Sequence, residues 1–278
     1  MHSDNPVIRM GFWPGGDRDG NPFVTSEITL QVANALRGGI IKCYYMDVRR
    51  LRRRLTFEGV DVLLQELENK LYSNLFIPGY KTNLSKEEIL GTLQQVRDII
   101  IHQHNGLFLH MVNNLINKIG VFGLHFASLD IRQDSSIHGK FYQELAEKTS
   151  ALPTGYLSMT DAEKINALAS LSAHDTSAVG TDPILQDTIQ SVTAIRSIQQ
   201  YNGAEGCNRY IISQCNSALN AMEVYGLFLL AGWNKDELNV DIVPLFETID
   251  DLKQAAGVMS TLYRHPDYWA HLERQNKH

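Results

Sequence analysis

The sequence predicts a predominantly helical α/β fold with about four parallel strands, and three observations carry that expectation. Four short stretches, near Ile8–Trp13, Phe122–Arg132, Arg209–Gln214 and Val240–Glu247, are apolar rather than alternating, which suits strands covered on both faces. The segments between them show helical periodicity and cap signals. Three charged motifs, Gly15–Pro22, Arg132–Asp134 and Glu247, each lie where one of these stretches ends. The C-terminal ends of the strands are where a β/α barrel gathers its site residues.

Taken in order, the first expected strand leads into Gly15-Gly16-Asp17-Arg18-Asp19-Gly20-Asn21-Pro22. Thr25 is the expected N-cap of a long helix that reaches about Leu55, with Gly38-Gly39 as a candidate interruption. Val60, Leu63, Leu64, Leu67 and Leu71 form a stripe at helical spacing. Ser85 with Glu88, and Thr160 with Glu163, have the spacing of capping boxes. Asp182-Pro183 opens another helix that Gly203 closes. Asn216–Gly232 is apolar nearly all round and reads as a buried helix ended by Gly232, and Thr248 with Asp250 and Asp251 starts the helix after the last strand.

The 278 residues, 44% of them apolar, are enough for a sizeable core. A net charge of −6 argues against a general nucleic-acid binder, which needs a basic surface. Cys43, Cys207 and Cys215 have no metal-type spacing and are odd in number, so the expected compartment is the reducing cytoplasm. Met1–Pro6 lacks the pattern of a secretory signal. The longest nearly apolar run, Val224–Trp233, is far short of the roughly 20 residues that span a bilayer, so no membrane is expected.

Glu247, at the tip of the apolar run Val243-Pro244-Leu245-Phe246, has the setting of a Mg²⁺ ligand, because magnesium needs only one or two carboxylates beside waters and substrate oxygens. The alternative is a carboxylate paired with an arginine or capping the next helix. Arg132, in Leu129-Asp130-Ile131-Arg132-Gln133, carries a fork that matches a phosphate, or else makes a structural salt bridge. Arg18 is expected to be held by the carboxylates on either side of it, and serves either the substrate or a rigid loop. Arg49, Arg50, Arg52, Arg53 and Arg54 crowd one helix and read as solvated or paired, with an effector-anion site as the alternative. His102, His104 and His110 miss the zinc spacing and read as surface or packing residues.

The three motifs Gly15–Pro22, Leu129–Ser135 and Val243–Leu252, in this order, resemble phosphoenolpyruvate carboxylases. Asp134 stands where that family commonly has Glu, and Pro14 where it often has Met. The resemblance implies a partial (half) TIM-like β/α barrel with long inserted helices, residues 1–278 being one partial domain from the centre of a longer enzyme. It implies carboxylation of phosphoenolpyruvate with bicarbonate to oxaloacetate and phosphate, using Mg²⁺ or Mn²⁺. It assigns substrate binding to Arg132 and Arg18 and the metal to Glu247, with His138 structural. The family's catalytic histidine lies outside this chain, so no catalytic residue is assigned and the isolated chain is expected to be inactive. A homo-oligomer is expected of the full-length enzyme. The alternative is a non-catalytic anion-binding or interaction module using Arg18 and the Arg49–Arg54 cluster.

Overall fold

The computed structural model describes residues 8–77, 84–180 and 182–275. Met1–Pro6 and the C-terminal Asn276–His278 lie outside the described residues. The chain divides into two compact units, one of Met1–Gly11, Val32–Ser128 and Ile198–Gly206, the other of Phe12–Gln31, Leu129–Ser197 and Cys207–His278.

The first unit is helical. It contains most of α1 (Ser26–Arg52), then α2 (Val60–Phe76), α3 (Lys86–Gln103) and α4 (Leu109–Phe122). Their apolar stripes meet in one core, with Ile41, Tyr44 and Val48 from α1, Leu64, Leu67 and Leu71 from α2, Leu93 and Val96 from α3 and Leu115 from α4. The Tyr44 hydroxyl is satisfied inside that core, donating to the Gly123 carbonyl at 2.7 Å. The glycine pair Gly38-Gly39 does not interrupt α1, which stays helical through both. Glycine lowers helix propensity by only about 1 kcal/mol, less than core packing returns. Ser85 caps α3 by accepting from the Glu88 amide at 3.0 Å. The Glu88 carboxylate bonds to Lys70. Arg49 and Arg52 reach across to Glu68 of α2 at 3.4 Å and 2.6 Å, and Arg50 pairs with Asp47. His104 stacks on Phe57 with ring centroids 4.4 Å apart.

The expected strand over Phe122–Arg132 proves shorter. Phe122 ends α4, Gly123 and Phe126 take positive φ, and extended chain begins only at Ser128. Buried Leu124 and Ala127 supplied an apolar run without a strand. Two small sheets follow. β1 (Gly11–Phe12) lies beside β2 (Ser128–Leu129), and β3 (Ile131–Asp134), β4 (Arg209–Ser213) and β5 (Asp241–Pro244) form a second sheet in that order. β4 is parallel to both neighbours, with Arg132 opposite Ile211 and Ile211 opposite Val243.

The rest of the second unit is helical: α5 (Ser135–Lys148), α6 (Asp161–Ala169), α7 (Pro183–Asn202, its last turn in the first unit), α8 (Ala218–Leu230), α9 (Ile249–Arg264) and α10 (Pro266–Arg274). Eleven of the thirteen residues of α8 are buried, as its apolar composition requires, and it packs on α5, α6, α9 and β5. Gly232, with φ 83°, provides the left-handed residue beyond its end. α6 and α9 begin with complete capping boxes at Thr160 and Thr248. β3 runs straight into α5, while four-residue loops join β4 to α8 and β5 to α9, and the parallel pairing sets the C-terminal ends of all three at one edge of the sheet. Among the described residues no helix is long and apolar enough to cross a membrane.

Candidate functional site

The site begins with a turn. Gly15 has φ 85°, and the Gly16 amide donates back to the Trp13 carbonyl at 2.9 Å. A Cβ on Gly16 would fall 1.9 Å from the Asp130 carbonyl oxygen, so only glycine lets the two backbones approach. The chain then runs beside β3 as a short parallel extension. The Arg132 amide donates to Gly16 and the Arg18 amide to Arg132, each at 2.9 Å.

Extended chain sends successive side chains to opposite sides, and this decides the roles of the three charged residues. Asp17 and Asp19 face Arg132: Asp19 Oδ2 accepts from Arg132 Nη2 at 2.7 Å, and Asp17 lies 3.8 Å from Nη1. Arg18 faces the other way, so its sequence neighbours do not hold it as expected. Arg18 Nε donates to Asp187 of α7 at 3.1 Å and Nη2 to the Thr29 hydroxyl at 2.8 Å. Its side chain is only 3% exposed.

Glu247 follows β5, and its Oε1 accepts from Arg132 Nη2 at 2.8 Å. Its Oε2 accepts from the Gln214 amide at 3.2 Å, where Gln214 turns out of β4 with φ 51°. Glu247, beyond β5, thus joins Arg132 inside β3 to the residue that follows β4. The Arg132 Nε is buried without a hydrogen-bond partner, and the Trp13 ring centre lies 5.8 Å from the guanidinium. A cavity of about 500 Å³ opens on the side of Asp19 and Gln214; Gln133, Arg18 and Asp187 line it with them, Pro22, Ile137 and Ile184 make apolar wall, and neither Arg132 nor Glu247 is among its lining residues.

Behind the sheet, His138 is fully buried, with Nε2 2.9 Å from the Tyr210 hydroxyl. Burial lowers its pKa to about 3, so the ring is neutral and serves packing. Asp187, Thr29 and Gln214 were not singled out from the sequence. Asp187 is 169 positions from Arg18 and carries no motif of its own.

Glu247 offers one oxygen-donor side chain for a divalent cation, and among the described residues no cluster of three or more His, Cys, Asp or Glu is placed to hold a metal ion. One carboxylate is a fit for Mg²⁺ only when waters and substrate oxygens complete the shell.

A family model described as phosphoenolpyruvate carboxylase matches residues 1–77 and 77–278. The chain belongs to the phosphoenolpyruvate carboxylase family. Among curated relatives, the phosphoenolpyruvate carboxylase of Nitrosomonas europaea is 30% identical over 308 residues, covering 94% of this chain and 33% of that protein. The phosphoenolpyruvate carboxylases of Thermosynechococcus vestitus and Synechocystis sp. are each 29% identical, over 93% and 94% of this chain and 31% of theirs. The chain therefore spans about a third of the length of the curated phosphoenolpyruvate carboxylases it matches.

Proposed function

We propose that this chain is the central portion of a phosphoenolpyruvate carboxylase, a cytoplasmic enzyme that joins phosphoenolpyruvate and bicarbonate to give oxaloacetate and phosphate. The observation that carries this reading is the ion pair at 2.8 Å between Arg132, inside β3, and Glu247, which lies beyond β5 past the C-terminal edge of the parallel sheet. In the proposed barrel, of which β3, β4 and β5 are part, that edge is where chemistry gathers.

Transfer of the phosphoryl group to bicarbonate yields carboxyphosphate and an enolate, and carboxylation of the enolate yields oxaloacetate. Negative charge grows on phosphate and enolate oxygens in turn, so catalysis needs fixed cationic and hydrogen-bonding groups there. Arg132 anchors the phosphate, its fork already oriented by Asp19 and Glu247. Arg18 supports the loop that carries Asp17 and Asp19. Glu247 would hold Mg²⁺ or Mn²⁺, which supplies Lewis-acid stabilisation of developing charge. The acid–base histidine of the family belongs to a part of the enzyme outside this chain, and the full-length enzyme is a homo-oligomer. Arg18 is buried against Asp187, and Arg49, Arg50 and Arg52 pair with Glu68 and Asp47, which favours the enzyme reading over a separate anion site on these residues.

Two measurements test the reading. An assay coupled to malate dehydrogenase and NADH should detect no bicarbonate-dependent oxaloacetate from the 278-residue chain; steady production would overturn the inactivity. Phosphoenolpyruvate with Mg²⁺ should change Trp13 fluorescence in a Trp233→Phe/Trp269→Phe background. Replacing Arg132 by Met should weaken that binding about tenfold to a hundredfold, as loss of a charge-assisted hydrogen bond implies. Undiminished binding by the variant would remove Arg132 from the site.

A further inference from the structure

We propose that Asp187 is a positioning residue for Arg132, acting through the Gly15–Asp19 segment without touching Arg132 itself. The inference rests on the phosphoenolpyruvate reading for its purpose, while its geometry stands independently of it.

Asp187 joins two pieces of chain with its two oxygens. Oδ2 accepts from Arg18 Nε at 3.1 Å, and Oδ1 accepts from the Ser26 amide, at the start of α1, at 2.7 Å. Thr29 completes the clasp, accepting from Arg18 Nη2 at 2.8 Å and donating to the Gly15 carbonyl at 2.7 Å. Arg18 is therefore anchored from α7 and from the first turn of α1, while its main chain is anchored to β3.

A buried guanidinium without a counter-charge is strongly unfavourable. Asp187 is the only carboxylate within ion-pair distance of Arg18 among the described residues, because Asp17 and Asp19 project the other way. Were Asp187 neutral, Arg18 would lose its carboxylate partner, while its two chain neighbours Asp17 and Asp19 are the carboxylates that now hold Arg132. Any move of Asp19 toward Arg18 takes away the 2.7 Å bond that orients the Arg132 fork. Asp187 thus keeps Arg18 from competing with Arg132 for the loop carboxylates. It is a specific role for a side chain that lines the cavity yet makes no contact with Arg132 or Glu247.

The test is arginine-side-chain NMR of the 278-residue chain, with the Nε–Hε signal of Arg132 assigned through its loss in Arg132→Lys. In Asp187→Asn the Arg132 Nε–Hε signal should shift as the guanidinium turns, and the Nη2 protons, which Asp19 now accepts, should exchange about tenfold faster, the size expected for one lost charge-assisted hydrogen bond. Asp187→Glu should restore the native signal in part, which a general loss of stability would not do. If Asp187→Asn fails to fold, Thr29→Val, which removes the 2.8 Å side-chain acceptor of Arg18 Nη2, should produce the same direction of change. An unchanged Arg132 signal in folded Asp187→Asn or Thr29→Val overturns the proposal. Titrating wild-type protein with phosphoenolpyruvate and Mg²⁺ separates the two ideas: no binding, with Arg132 still responding to Asp187→Asn, rejects the functional reading and leaves the positioning role intact.

Discussion

Replacing Glu223 by Gln should abolish a fall in stability that the wild-type chain undergoes between about pH 4.5 and pH 7. Glu223 lies inside the apolar helix α8, is 5% exposed, and its carboxylate has only a long 3.5 Å contact from Asn220 Nδ2. Burial raises its pKa from 4.5 to about 7, with Asn220 and Lys164 opposing the shift and Asp161 adding to it. Within that window the folded chain keeps a proton that the unfolded chain has released, so stability declines as pH rises and levels off above the folded pKa. At 1.36 kcal/mol per unit the decline amounts to about 3 kcal/mol. Glutamine keeps the shape and neutrality of the protonated acid, so the variant should gain about 3 kcal/mol on the wild type between pH 5 and pH 8. Urea denaturation followed by Trp233 fluorescence reads this directly, because Trp233 packs edge-on against Phe228 of the same helix at 5.5 Å. Parallel stability curves for the two proteins across that range would refute the reasoning.

Three further substitutions probe other parts of the fold. Gly16→Ala should destabilise the chain by about 1–3 kcal/mol through overpacking against the Asp130 carbonyl, and should move Arg132 as well; retention of the native melting temperature would contradict the close approach. Thr248→Ala removes one half of the capping box with Asp251, whose amide donates at 3.1 Å, and should cost about 1 kcal/mol in thermal or urea denaturation. Leu67→Ala, at a 2% exposed position in the helical core, should cost about 2–5 kcal/mol by the same measurement, and a loss below 1 kcal/mol would mean that this core is not packed as described.

What the sequence revealed was what is encoded locally. β4 and α9 occur close to their expected limits, because short local signals such as the Thr248 cap bound them, whereas β5 stops at Pro244, three residues before the expected Glu247. The stripe from Val60 to Leu71 likewise became a buried helix face. Gly123–Ala127 misled because buried apolar residues in a turn look like strand when only hydrophobicity is counted. In the site, Arg132 and Glu247 do meet, though not as two strand tips: Arg132 lies inside β3 and reaches Glu247 in the loop after β5. The partner of Arg18 was not legible, since it depends on a helix that tertiary folding alone brings near. The acid–base–acid run suggested a self-contained cluster, whereas the pleat divides it between two separate networks.

The crowd around Arg132 has an electrostatic corollary. Asp17, Asp19 and Glu247 surround a single guanidinium and leave two negative charges in excess. A phosphate brought to that arginine meets net repulsion from these side chains, whatever the quality of its hydrogen bonds. Affinity for an anion must therefore depend on counter-ions or on basic groups contributed from beyond this cluster, and it should be sensitive to ionic conditions in a way that a purely arginine-lined pocket would not be.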